Sequence, residues 1–133
     1  MAKRFGFGRK ERLKSRKAIE ALFTGGKSLS QFPIRAMYKM EESDQPIIQV
    51  GVTASKRHFK KAVDRNRIKR LLREAYRLQK HAVVEAAHNK GLHLHVFFMY
   101  MDKTLPDFVT IQETMSRCLA QLQKAVEGYE RTA

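Results

Sequence analysis

Between residues 32 and 40 the apolar side chains fall at every second position, as Ile34, Ala36, Tyr38 and Met40. That is the period of a half-buried strand. The polar run Glu41-Glu42-Ser43-Asp44-Gln45-Pro46 interrupts it. Alternation resumes through Ile48, Val50, Val52 and Ala54, which predicts a second strand over 47–54, antiparallel to the first. From Ala62 to His81 the period lengthens to that of a helix. Ile68, Leu71, Leu72, Ala75 and Leu78 share one side, while Asn66, Lys69, Arg70, Arg73 and Arg77 cover the other. Leu92 to Met101 is β-forming and apolar on both sides, the pattern of a central strand buried under helices. Thr110 with Glu113 then reads as a capping box for a last helix carrying Ile111, Met115, Cys118, Leu122, Val126 and Tyr129.

Near the start, Ser15 can cap a helix running to about Phe23, with Ile19, Leu22 and Phe23 on one face and Gly25-Gly26 as its stop. Residues 1–12, with Phe5-Gly6-Phe7-Gly8 among scattered bases, have no period and read as a flexible basic arm, order beginning near Leu13. Helix, two strands, helix, strand, helix predicts an α+β fold with helices packed on a small sheet. No repeat and no long linker divides residues 1–133, so one domain is expected.

Charge changes this picture most. The chain carries a formal net charge of +14, and it is concentrated in two segments. Residues 1–17 hold eight Lys/Arg against Glu11, and residues 56–73 hold nine against Asp64; the other 98 residues sum to −1. A dense block of like charge repels itself unless a polyanion neutralises it, which points to a phosphate-rich partner. No run of eighteen apolar residues offers a membrane span, and Met1 to Lys10 lacks the apolar stretch of a signal peptide, so a cytoplasmic protein without a membrane partner is expected. Cys118 is the single cysteine and falls on the apolar side of the last helix, where a thiol is buried and inert.

Little suggests a catalytic site borne by the protein. His93 and His95 stand two apart on one strand face, but no third ligand in a recognised spacing accompanies them, so no metal site is expected. Gly6 and Gly8 lack the preceding strand and following helix of a phosphate loop. The segment Lys60 to Arg77 is different. A charge run is usually a solvated face, yet here acids are too few to pair the bases, and arginine dominates, whose planar fork grips phosphate and stacks on bases.

Val50-Gly51-Val52-Thr53-Ala54-Ser55-Lys56-Arg57, followed by Ala62-Val63-Asp64-Arg65-Asn66-Arg67-Ile68-Lys69-Arg70-Leu71-Leu72-Arg73-Glu74, resembles the signature of the bacterial ribonuclease P protein family. The resemblance is dense over residues 50–77, and the flanks agree in element order and spacing. It implies an α-β-β-β-α-β-α sandwich with a four-stranded sheet, a left-handed β-α-β crossover shared with a ribosomal-protein domain, and an extra short strand near Lys27 to Ser30.

The same resemblance implies a role. The protein would bind ribonuclease P RNA and the 5′ leader of precursor tRNA and assist endonucleolytic removal of the leader, while the RNA, with Mg²⁺, cuts the phosphodiester. Arg65, Asn66, Arg67, Lys69, Arg70 and Arg73 would contact the RNA subunit, with Lys56, Arg57, Lys60 and Lys61 extending that surface. Ile19, Phe23 and Tyr38 would line a leader cleft between the first helix and the sheet; Ile19 departs from the aromatic residue usual at its position. No small-molecule substrate is implied. The competing reading is a general RNA chaperone or ribosome-associated protein on the same fold.

Overall fold

A computed structural model describes residues 8–130 of the chain. The segment 1–7 of the expected basic arm therefore lies outside the described residues, whereas its remainder is ordered. A 3₁₀ turn spans Arg9–Glu11, Arg12 bridges Val50, and Leu13 N–H donates to the Val50 carbonyl at 2.9 Å. The regular elements are α1 (Arg16–Gly25), β1 (Lys27–Gln31), β2 (Ile34–Glu42), β3 (Ile48–Ala54), α2 (Ala62–Gln79), α3 (His81–Lys90), β4 (Leu92–Tyr100) and α4 (Phe108–Glu127). The short strand implied by the family resemblance is β1.

Local chemistry sets several boundaries. The Ser15 hydroxyl accepts the Ala18 N–H at 3.3 Å and opens α1, as its cap position predicts. The start of α4 is displaced from expectation. Asp107, not Thr110, is its N-cap, the carboxylate accepting the Thr110 N–H at 2.7 Å, because the helix gains an extra turn before the Thr110-Glu113 pair. Strand β2 begins at Ile34 rather than Phe32, since Phe32 and Pro33 form the turn after β1. It runs on to Glu42, beyond the expected end at Met40.

The sheet order is β1-β2-β4-β3. β2 and β3 run in opposite directions as expected, but they are not partners. The strand with apolar residues on both faces, β4, takes the place between them, antiparallel to β2 and parallel to β3. α2 and α3 form the crossover joining the two parallel strands. α3, for which the hydrophobic pattern predicts no element, buries only Val83, Ala86 and Ala87 and ends at Gly91 in the left-handed conformation, φ 65°. Lys80 sits between α2 and α3, and its buried ammonium pairs with Glu11 of the N-terminal turn.

Helices α2, α3 and α4 cover one face of the sheet. Leu92, Leu94, Val96, Phe98 and Tyr100 of β4 meet Ile68, Leu72, Tyr76, Val83, Ile111, Met115 and Leu122 there. The docking stripe of α2 is narrower than the pattern predicts: Tyr76 is fully buried, while Leu71 is only partly so and Leu78 is exposed. Cys118 is buried in this core, and burial pushes its thiol up to about 12. On the opposite face α1 packs a smaller cluster of Leu13, Leu22 and Met37 against Ile19, Phe97 and Met99. A sheet thickly covered on one side and lightly on the other leaves an open surface around α1.

Candidate nucleic-acid interface

The chain leaves β3 through a braced turn. The Ser55 hydroxyl accepts the Arg57 N–H at 3.1 Å, and the Ser55 carbonyl accepts the Phe59 N–H at 2.9 Å. Phe59 is buried against Tyr100, with ring centroids 6.1 Å apart. Fixing these atoms leaves Lys56, Arg57, Lys60 and Lys61 exposed together at the entry to α2. Ile68, Leu72, Ala75 and Tyr76 hold one side of α2 in the core, so Asn66, Arg67 and Arg70 stand exposed on the other, with Lys69 half-buried at its edge. No carboxylate among the described residues forms an ion pair with Arg67, Lys69 or Arg70; on α2 the ion pair is Glu74 with Arg77.

Arg65 stands apart from that row, and Arg73 continues it one turn beyond Arg70. Arg65 turns its Nη1 back onto the turn, donating to the Phe59 carbonyl at 2.8 Å and the Lys60 carbonyl at 2.9 Å. It braces the loop that displays the lysines. Arg73 lies at the rim of a hollow of about 300 Å³, lined also by Arg12, Lys14, Ile19, Gly51 and Phe97. Burial, and then the nearby Arg12 guanidinium, hold its pKa below the ordinary arginine value. Two guanidiniums at one partly apolar hollow make a favourable seat for a phosphate.

The hollow lies between α1 and the sheet. Its floor is Phe97, and the position opposite on β3 is Gly51. A Cβ at Gly51 would sit 2.7 Å from the Phe97 ring and 3.2 Å from the Leu13 carbonyl oxygen, so only glycine lets the ring lie there. Phe23 of α1 stands edge-on to Phe97, centroids 5.9 Å apart and planes at 74°, and more than half of Phe23 is exposed. Ile19 completes the helix side.

Tyr38 does not belong to this group. It is buried on the opposite face, among the core residues under α4, and Met37 is the β2 residue that shares the α1 face. The period-two pattern already placed Tyr38 with Ile34 and Ala36, so the alternation outweighs the family correspondence. The aromatic that sequence reasoning missed is Phe97, whose signal is the second apolar side of β4. Arg12 and Lys14 were missed as cleft residues because the segment before the Ser15 cap has no period. His93 and His95 lie farther along the Phe97 face, ring centroids 4.7 Å apart, with His93 Nε2 3.2 Å from the Gln49 Oε1.

Comparison with known proteins bears on the chain's family and fold. The family model for ribonuclease P matches residues 7–123. A ribonuclease P protein component from Porphyromonas gingivalis is 35% identical over 119 residues, covering 89% of this chain and 87% of the relative. Another, from Chlorobium phaeobacteroides, is 32% identical over 124 residues and covers 85% of each chain. Among solved structures, the ribonuclease P protein of Thermotoga maritima superposes with a TM-score of 0.66 at 22% identity, covering 84% of this chain and 96% of that one. A structure of the Staphylococcus aureus protein gives 0.64 at 18% identity, covering 84% of this chain and 94% of that one.

Proposed function

The chain belongs to the ribonuclease P protein family, and we propose that it serves as the protein subunit of that ribonucleoprotein, holding the catalytic RNA on one surface and the 5′ leader of precursor tRNA on another. The observation that carries this reading is the presence of two chemically different surfaces on one fold. The row Lys56, Arg57, Lys60, Lys61, Asn66, Arg67 and Arg70, with Lys69 at its edge, is cationic and exposed. It fits the backbone of a folded RNA, which such groups grip through phosphates without reading sequence. The hollow at Ile19 and Phe97, with Phe23 edge-on to Phe97 beside it and Arg12 and Arg73 in its lining, joins aromatic and cationic groups. It fits an unpaired strand, whose bases stack on rings whatever their identity. Leaders differ in sequence, so a stacking site suits them.

The division of labour follows from donor chemistry. Mg²⁺ takes oxygen ligands and keeps much of its water, and RNA phosphates supply such oxygens. On this chain no group of three or more His, Cys, Asp or Glu that could hold a metal comes together among the described residues. In this reading the Mg²⁺ sits chiefly on RNA phosphates, and the protein's residues hold and position the strands. The protein's contribution is charge and position: its cations offset repulsion between phosphates, and its cleft fixes the substrate strand beside the RNA. It works in the cytoplasm, where tRNA is processed, and no helix among the described residues is long and apolar enough to cross a membrane.

Reconstitution tests the reading. Purified protein alone is expected to cleave no precursor tRNA, yet to accelerate a bacterial ribonuclease P RNA at low Mg²⁺, with the benefit shrinking as Mg²⁺ rises. Cleavage by the RNA-free protein that disappears in the His93→Ala, His95→Ala double variant would overturn it. Equal binding to many unrelated RNAs, with no acceleration of the ribonuclease P RNA, would favour the chaperone.

A further inference from the structure

The histidine pair on β4 is the feature of the sequence that the proposed function leaves unused. Burial alternates strictly along β4, so His93, His95 and Phe97 stand on one face. Residues two apart on a strand are spaced about 7 Å along the backbone, so the three rings form a line leading away from the hollow. α1 packs on Phe97 and Met99; His95 and His93 lie beyond Phe97 in the other direction and are half-buried. Neighbouring strands frame them. Lys39 and Glu41 of β2 lie opposite His95 and His93, and Gln49 of β3 lies opposite His95. Gln49 is held from both sides, its amide N–H donating to the Lys10 carbonyl at 3.1 Å while its Oε1 meets His93.

We propose that His95, with His93 behind it, continues the leader path: single-stranded RNA leaving the hollow over Phe97 lays its next base on the His95 ring. The inference rests on the leader reading of the hollow. Two observations select this occupant. The strip is continuous with that hollow through Phe97 on the same strand face. Lys39 beside His95 is paired with Glu41 at 3.4 Å, and the exposed Lys10 and Arg12 line the β3 edge, where a strand's phosphates would run. Burial, and then the charge of His93, keep the His95 pKa below the ordinary histidine value; Lys39 acts in the same direction and Glu41 against it. At neutral pH the ring therefore meets a base as an uncharged aromatic plane. His93, bonded to Gln49, steadies that plane from the side.

The test uses the holoenzyme reconstituted from the full chain and ribonuclease P RNA, with precursor tRNAs whose leaders lengthen one nucleotide at a time. Wild-type affinity is expected to rise in steps. Phe97→Ala should lose an early step, and His95→Ala a later one of about fivefold, the low end for a base stacked on a ring. The His95→Ala loss should leave the salt dependence unchanged, and His95→Phe should restore the step. If His95→Ala matches wild type at every leader length while Phe97→Ala still loses its step, the histidine path is wrong and the cleft stands. If His95→Ala weakens all substrates alike, mature tRNA included, His95 serves the fold and the path is again wrong. If Phe97→Ala loses no step, the cleft itself fails and the path with it.

Discussion

Replacing Arg65 should damage the fold more than RNA binding, although its place in the Arg65-Asn66-Arg67 triplet suggests the reverse. One guanidinium nitrogen donates to two carbonyls, Phe59 at 2.8 Å and Lys60 at 2.9 Å. A hydrogen bond from a charged donor is worth about 1.5–3 kcal/mol when the acceptor loses it without replacement. The Lys60 carbonyl is exposed, so water replaces that bond at little cost, whereas the Phe59 bond is part-buried. Arg65→Ala should therefore cost about 1–3 kcal/mol. With an unfolding entropy of about 2.1 cal/mol/K per residue, 133 residues give about 0.28 kcal/mol/K, and the midpoint should fall by about 4–11 °C. Arg67→Ala and Arg70→Ala carry no such bonds and should melt like wild type. Each should instead lower the slope of log affinity for the RNA subunit against log salt by about 0.7–0.9, the yield of one phosphate contact. Thermal melting by circular dichroism, paired with binding titrations across salt, separates the two effects. An Arg65→Ala protein with an unchanged midpoint and a reduced salt slope would refute the bracing role.

Tyr38→Ala should lower stability by about 3–5 kcal/mol as a core truncation, and at a temperature where it remains folded should bind long-leader and mature substrates in the wild-type ratio; a selective loss for long leaders would return Tyr38 to the cleft. Gly51→Ala drives a methyl into the Phe97 ring, so it should weaken leader binding as Phe97→Ala does while leaving assembly with the RNA subunit intact; binding titrations with and without a leader decide it. Cys118 should resist thiol reagents in the native protein at pH 8 and react once denatured. Its pKa is raised from the ordinary 9.0 to about 12, so the stability linked to the neutral thiol is full below pH 9 and lost as pH climbs toward 12, which melting midpoints across that range would show.

The hydrophobic periods make most elements legible, because each strand and long helix buries one regular face. Pairing is another matter. Nothing local distinguishes a β2-β3 hairpin from β2 and β3 separated by a third strand, and only the apolar second face of β4 hints that it belongs at the centre. α3 escapes notice because Val83, Ala86 and Ala87 bury little surface, and because Lys80 joins it to α2 without a glycine or proline. The basic surface is readable as charge, but the sequence cannot show that Arg65 bends back onto carbonyls or that Arg73 reaches the hollow. The cleft is legible from its helix side, through Ile19 and Phe23. Its floor was not, since Phe97 becomes a site residue only when Gly51 on another strand leaves room for the ring.

The central claim is that one frame presents two different RNAs to two surfaces, and a crosslinking map tests it most directly. A photoreactive phenylalanine analogue is placed at exposed Phe23 in one protein and at exposed Asn66 in another, and each is assembled with ribonuclease P RNA and precursor tRNA. Position 23 should capture leader nucleotides, and position 66 should capture the RNA subunit, with neither exchanging targets when the other RNA is in excess. Capture of the RNA subunit from position 23, or of the leader from position 66, would contradict the account.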